Sequence, residues 1–158
     1  MSTPNFAAIL NTKVDEIKRP PLIPVGTYRA RMNKPALFGE VSDGAYQTID
    51  FSMVLLEPQL DVDQDDLQKY GGLGANSQLR YRFMFNTAQD ADANAGKERT
   101  MFAMKKFLAD HLQVAGATVN ELIANAIGNE CLVTVRWRPD RNDPEIQYNE
   151  VGRTAPLH

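Results

Sequence analysis

The stretch Ser77 to Phe85, SQLRYRFMF, constrains the fold most, because two patterns run through it on a two-residue period. Leu79, Tyr81, Phe83 and Phe85 fall on one side of an extended strand, and Arg80 and Arg82 on the other. The same Arg-x-Arg spacing returns at Arg29 and Arg31 in TYRARM and at Arg136 and Arg138 in LVTVRWRP, so six of the ten arginines sit in three pairs. Set in register in one sheet, the three segments make a cationic face backed by an apolar one, a layout suited to a polyanion. This is a face and not a catalytic motif, so it points to binding.

Composition limits what such a face belongs to. A chain of 158 residues, 43% hydrophobic and 23% charged, is long enough for one well-buried domain and short for two. Its net charge of −3 excludes a uniformly basic protein that coats duplex nucleic acid, so an anion site must be local. Cys131 is the single cysteine, permits no internal disulfide and sits in the apolar run CLVTV as a small hydrophobe. No apolar run approaches the roughly 18 residues of a membrane span and the amino terminus has no leader pattern, so a soluble protein is expected, with no membrane partner.

Residues 1–24 read as an amino-terminal arm preceding a single domain, 25–158. Asn5 is placed to cap a helix from Phe6 to about Ile17, with Phe6, Ile9, Leu10, Val14 and Ile17 near helical spacing. Pro20, Pro21 and Pro24 make Lys18 to Pro24 an extended connector. The helix either folds back on its own domain or docks on a second subunit. Strands are then expected over 25–33, 46–57 and 77–85, with a turn-rich loop from Lys34 to Ala45.

Asp61, Asp63 and Asp65 alternate as in a calcium loop. Asp66, however, stands where glycine is required and Gly72 where a bidentate glutamate is required, so a short helix over 64–70, capped by Asp63 and ended by Gly71, is the better reading. A connector, NTAQDADANAGKE, leads to a helix over 98–112, with Met101, Met104, Leu108 and Leu112 in a stripe flanked by Phe102 and Phe107. Thr118 and Glu121 form a capping box for a helix over 119–127, and strands over 130–138 and 145–151 close the chain.

The expected fold is therefore mainly β with a helical insert, in the order β-β-β-α-α-β-β. That is the order of a five-stranded OB-fold barrel, and also of an α+β sheet covered on one side by two helices. The segments PLIPVGTYRARM, MKKFLADHLQV with TVNELIANAIGNECLVTV, and YNEVGRTAP resemble a broad group of small tailed-bacteriophage proteins, some of them single-stranded DNA-binding proteins with an OB-fold. The resemblance implies DNA replication in the host cytoplasm. The closing APLH departs from the acidic hydrophobic tail with which common single-strand binders recruit partners.

Single-stranded DNA would run along Arg29, Arg31, Arg80, Arg82, Arg136 and Arg138, since guanidinium groups bond phosphate bidentately and stack on bases. Strict alternation sends Tyr28, Tyr81, Phe83 and Trp137 inward, leaving Phe38, Tyr46 and Tyr148 in and beside loops to stack bases. A β-bulge near Arg136 is the alternative route that turns Trp137 outward. The competing structural account is that the arginines cover apolar surface and pair with acids such as Asp50, Glu130 and Glu150.

His111 and His158 have no nucleophile beside them in any known catalytic spacing, and no phosphate loop, zinc spacing or cofactor motif is present, so an enzyme is not expected. A second reading is a virion protein, a capsid cement or decoration protein, whose arm reaches neighbouring subunits and whose partner is a major capsid protein.

Overall fold

A computed structural model describes residues 6–16 and 21–158. Among these there are four helices and a mainly antiparallel sheet of six strands: β1 (Gly26–Met32), β2 (Leu37–Val41), β3 (Tyr46–Pro58), β4 (Gln78–Asn86), β5 (Glu130–Pro139) and β6 (Gln147–Ala155). The long strand β3 organises the sheet. One edge pairs with β4 over its length, from Tyr46 opposite Asn86 to Val54 opposite Gln78. The other edge takes β2 and β1 end to end, Leu37 opposite Asp50 and Met32 opposite Met53. β5 then pairs with β1 and β6 with β5, so among the described residues β4, β6 and the outer side of β2 have no further strand beside them, and the sheet is not closed.

Alternation sorts the strands as the sequence implies. Tyr28, Ala30, Met32, Phe51, Met53, Leu55, Leu79, Phe83, Cys131, Val133 and Val135 are buried on one face. Burial pushes the Cys131 thiol up to about 12, which makes it an inert packing group. Gly26 enters β1 at φ 138, and a Cβ there would lie 2.6 Å from Val62 Cγ2, so the chain needs glycine at this crossing.

Helix α2 (Gln64–Tyr70) has the expected bounds: Asp63 accepts from the Asp66 amide at 3.0 Å, and Gly71 ends the helix at φ 104. Asp61 accepts from the Thr27 amide at 2.9 Å and the Thr27 hydroxyl at 2.8 Å, fastening this excursion to β1. Those aspartates therefore serve a cap and a loop clamp. Helix α4 (Val119–Ala126) carries the expected capping box in altered form. The Glu121 amide donates to the Thr118 hydroxyl at 3.2 Å, but the Glu121 carboxylate accepts from the Ala117 amide at 2.7 Å rather than from the amide of Thr118.

Three expectations are corrected. The 34–45 loop contains β2, closed by a turn in which the Ala45 amide donates to the Ser42 carbonyl at 3.1 Å and the central residues Asp43 and Gly44 lie at φ 54 and 85, the left-handed Asp-Gly pair that tight hairpin turns favour. Helix α3 begins at Ala91 rather than Glu98, because Asp90 caps it by accepting from the Ala93 amide at 2.8 Å, and runs to Lys105. It continues as a π turn, Lys106–His111, whose extra residue shifts the inward stripe. Met104, Phe107, Leu108 and Leu112 are buried while Met101 and Phe102 are exposed. Phe107 meets Phe51, Tyr81 and Phe83 at ring separations of 5.3, 4.9 and 6.0 Å, an aromatic cluster under the sheet.

In the arm, α1 spans only Phe6–Leu10, followed by a 3-10 turn at Val14–Glu16; Asn5 and Ile17 lie outside the described residues. Residues 21–24 have no regular secondary structure, and Lys18 to Pro20 also lie outside.

Candidate nucleic-acid interface

Each Arg-x-Arg pair lies on the sheet face opposite the core, and the strand register hands each pair one shared carboxylate. Arg82 stands directly across from Asp50, Arg31 from Glu130 and Arg136 from Glu150. Arg82 grips Asp50 bidentately at 2.7 and 3.0 Å, while Arg80 approaches the same carboxylate only to 3.8 Å. Glu130 binds Arg29 and Arg31, each at 2.7 Å, and Arg29 also reaches Glu57 at 3.3 Å. Glu150 binds Arg136 at 2.6 Å and Arg138 at 3.1 Å. The arginine face is thus partly neutralised by the three acids that the structural account singled out.

The pairs differ in what remains for a ligand. The side chains of Arg80, Arg136 and Arg138 are 62, 64 and 57% exposed, whereas those of Arg29 and Arg82 are 32 and 30% exposed. Hydrogen bonds from Arg29 and then Arg31 hold the Glu130 carboxyl below its ordinary range, and the bond to Glu130 raises the Arg29 guanidinium above its own.

Two of these exposed arginines, Arg80 and Arg138, meet at the open seam. β4 and β6 face each other there across a cleft of about 470 Å³ lined by Arg80, Arg82, Met84, Arg138, Asn149 and Glu150. Beside β6 the Thr154 hydroxyl lies 2.6 Å from His111 Nδ1, tying that strand to the π turn that follows α3. Burial, with Lys106 nearby, lowers the His111 pKa. A β6 irregularity shapes the rim: Gly152 is skipped in the pairing between Thr134 and Val135, and the Arg136 stem packs over it, its Cδ 3.0 Å from where a Cβ would be.

The aromatic residues divide. Tyr148 lies across from Arg138, whose guanidinium carbon is 5.9 Å from the ring centroid, and its hydroxyl donates to Asp140 at 2.9 Å. Tyr46 lies beside Met84 and Asn86 at the far end of β3. Phe38 is exposed but stands across from Ile49, beside Phe85, on the opposite face from the arginines. The structure therefore brings Arg80, Arg82, Arg136, Arg138 and Tyr148 together, leaves Arg29 and Arg31 in the sheet interior, and separates Phe38.

Trp137 follows neither sequence route. It keeps the facing of Val133 and Val135 yet is 44% exposed, because β5 runs on past the core, and its indole donates to the Ile23 carbonyl at 2.7 Å. Three exposed residues were not singled out from sequence. Met84 lines the cleft, Leu37 stands across from Asp50, and Arg153 stands across from Thr134. The Arg-x-Arg spacing skips Arg153, and only the bulge at Gly152 puts it beside Arg136.

Among the described residues no group of three or more His, Cys, Asp or Glu side chains is placed to hold a metal ion, and no helix is long and apolar enough to cross a membrane. No protein-family model matches the chain, and no curated protein sequence matches it.

Proposed function

We propose that the chain binds single-stranded nucleic acid, DNA in the first instance, across the cleft between β4 and β6, and does so without catalysis. The carrying observation is that Arg80 and Arg82, which share Asp50, face Arg138, which shares Glu150 with Arg136, across that cleft, and each of the two pairs holds one positive charge more than its carboxylate. Arg80, Arg136 and Arg138 supply phosphate contacts, and Tyr148 beside Arg138 supplies a stacking surface. Strand order supports an OB-like reading: without β2 the sheet runs β4-β3-β1-β5-β6, with the helices between β4 and β5, an arrangement suited to a partly open five-stranded barrel. In that reading the seam is where the barrel fails to close, and the phage resemblance supports a replication role in the host cytoplasm.

Fluorescence anisotropy with an oligothymidylate of about 20 to 30 nucleotides tests the proposal, with duplex of equal length beside it. Three exposed arginines at about 0.7 each give a log–log salt slope near −2. Absence of binding at low salt, or equal affinity for duplex, overturns it.

A second reading, a virion cement or decoration protein bound to a major capsid protein, is favoured by a separate observation. Phe6, Ile9, Leu10 and Val14 of the arm are all exposed, as expected of a segment that meets another chain. Co-sedimentation with assembled capsids, without oligonucleotide binding, would select it.

A further inference from the structure

The connector and the β5–β6 hairpin are joined by a specific clamp. The Ile23 amide donates to Asn149 Oδ1 at 2.8 Å, and its carbonyl accepts from Asn149 Nδ2 at 2.9 Å and from the Trp137 indole at 2.7 Å. Tyr28 adds a 2.7 Å bond to the Pro24 carbonyl. Ile23 is buried, so the chain leaves the domain from a fixed point. At that point lies an apolar groove of about 600 Å³ whose walls include Pro21, Leu22, Trp137, Ile146 and Tyr148.

The same chain carries a segment of matching chemistry that its own domain does not cover. Phe6, Ile9 and Leu10 on α1 and Val14 after it are exposed. A five-residue helix is far below the roughly 12 to 15 residues that hold a helix in water, so α1 needs a surface to pack on. Between Val14 and Pro21 the chain can span at most about 24 Å, which sets how far the arm can reach from the groove of its own copy. Exchange of identical elements between protomers closes such an interface symmetrically.

We propose that the arm of one copy seats Phe6, Ile9 and Leu10 in the Trp137–Ile146 groove of a second copy, giving an arm-exchanged dimer. This pairing shares Tyr148 with the stacking surface proposed above but does not rest on that reading, and it is tested without nucleic acid. Trp137 is the single tryptophan, so its emission reports groove occupancy directly. In light scattering the full chain gives a dimer mass at high concentration, and Trp137 emission moves to the red on dilution as the groove empties.

The double variant Ile9→Asp with Leu10→Asp is monomeric, with emission independent of concentration and a melting temperature equal to that of the wild type at dilutions where the wild type has dissociated. Ile146→Asp is monomeric as well. An equimolar mixture of the double variant with Ile146→Asp recovers a dimer, because one intact arm meets one intact groove. A monomeric wild type at every concentration overturns the proposal. So does an arm variant that dimerises as before, or one that melts lower at unchanged mass, the sign of packing within one chain. Failure of the mixture to dimerise when both parents are folded monomers overturns the assignment of this groove.

Discussion

In the middle of the sheet, Arg29 and Arg31 share Glu130 and Arg29 also reaches Glu57, four charges that sum to zero. At the open seam, among the described residues, Arg80 and Arg82 share only Asp50, and Arg136 and Arg138 share only Glu150. One sequence spelling therefore serves two ends. In the interior, strands on both sides supply acids, and the pair becomes part of the sheet's own cross-strand pairing. At the seam one neighbour is missing, and the charge that would have been matched from that side is left over. What distinguishes the two kinds of arginine pair is whether strands on both sides supply an acid, rather than the spacing of the arginines.

The comparison is sharpest inside a single pair. Asp50 has 11% of its side chain exposed and depends on the bidentate grip of Arg82. Arg82→Ala strands that carboxylate against the sheet and should destabilise the fold by about 1 to 3 kcal/mol in urea unfolding at neutral pH. Arg80, 3.8 Å from Asp50 and mostly exposed, should cost within about 0.5 kcal/mol when changed to alanine. Equal losses would mean that β4 makes no distinction between its two arginines.

The next largest effect is on binding. Replacing Arg136 and Arg138 together by alanine should flatten the salt slope for oligothymidylate by about 1.4, two contacts at about 0.7 each. Affinity should fall about tenfold or more, roughly 1.4 kcal/mol, with little change in melting. The interior double variant, Arg29→Ala with Arg31→Ala, should leave the slope nearly unchanged, since those guanidinium groups are spent on Glu130 and Glu57. A slope flattened equally by both variants would erase the contrast between interior and seam.

Much of this was legible in the sequence, and the parts that were not have physical causes. β1, β3, β4 and β5 show period-two alternation because one of their faces is buried, and α2 announces itself through Asp63 and Gly71. β2 gives no such signal, since from Leu37 to Glu40 every residue is exposed and nothing on it alternates. The start of α3 at Ala91 is hidden by an alanine-rich turn with one buried side chain, Ala93. The π turn displaces the inward stripe by one residue, which no fixed helical period anticipates.

At the site, arginine spacing was readable, and so were the acids near enough in kind to pair. Which acid meets which arginine depends on a ladder register joining residues 14 to 101 positions apart. Trp137 was missed in both directions because alternation gives its facing but not where the core ends.

The smallest expected effect belongs to the interior cluster and is read against pH. Glu130 has its folded-state pKa depressed, first by the hydrogen bond from Arg29 and then by that from Arg31. In the unfolded chain it returns to the ordinary glutamate value of about 4.3. The unfolded state therefore binds the proton more readily on acidification, and the native state loses ground. The cluster's contribution is complete above about pH 5 and fades as pH falls through 4.3 towards the lower folded value. Glu130→Gln should thus lower the stability plateau at neutral pH modestly. It should also make the decline between about pH 5 and 3 shallower than in the wild type, measured as urea midpoints across that range. A variant whose midpoints run parallel to the wild type through the whole acid limb would show that the interior arginines gain nothing from Glu130. The neutral middle of the sheet would then be no more structural than its seam.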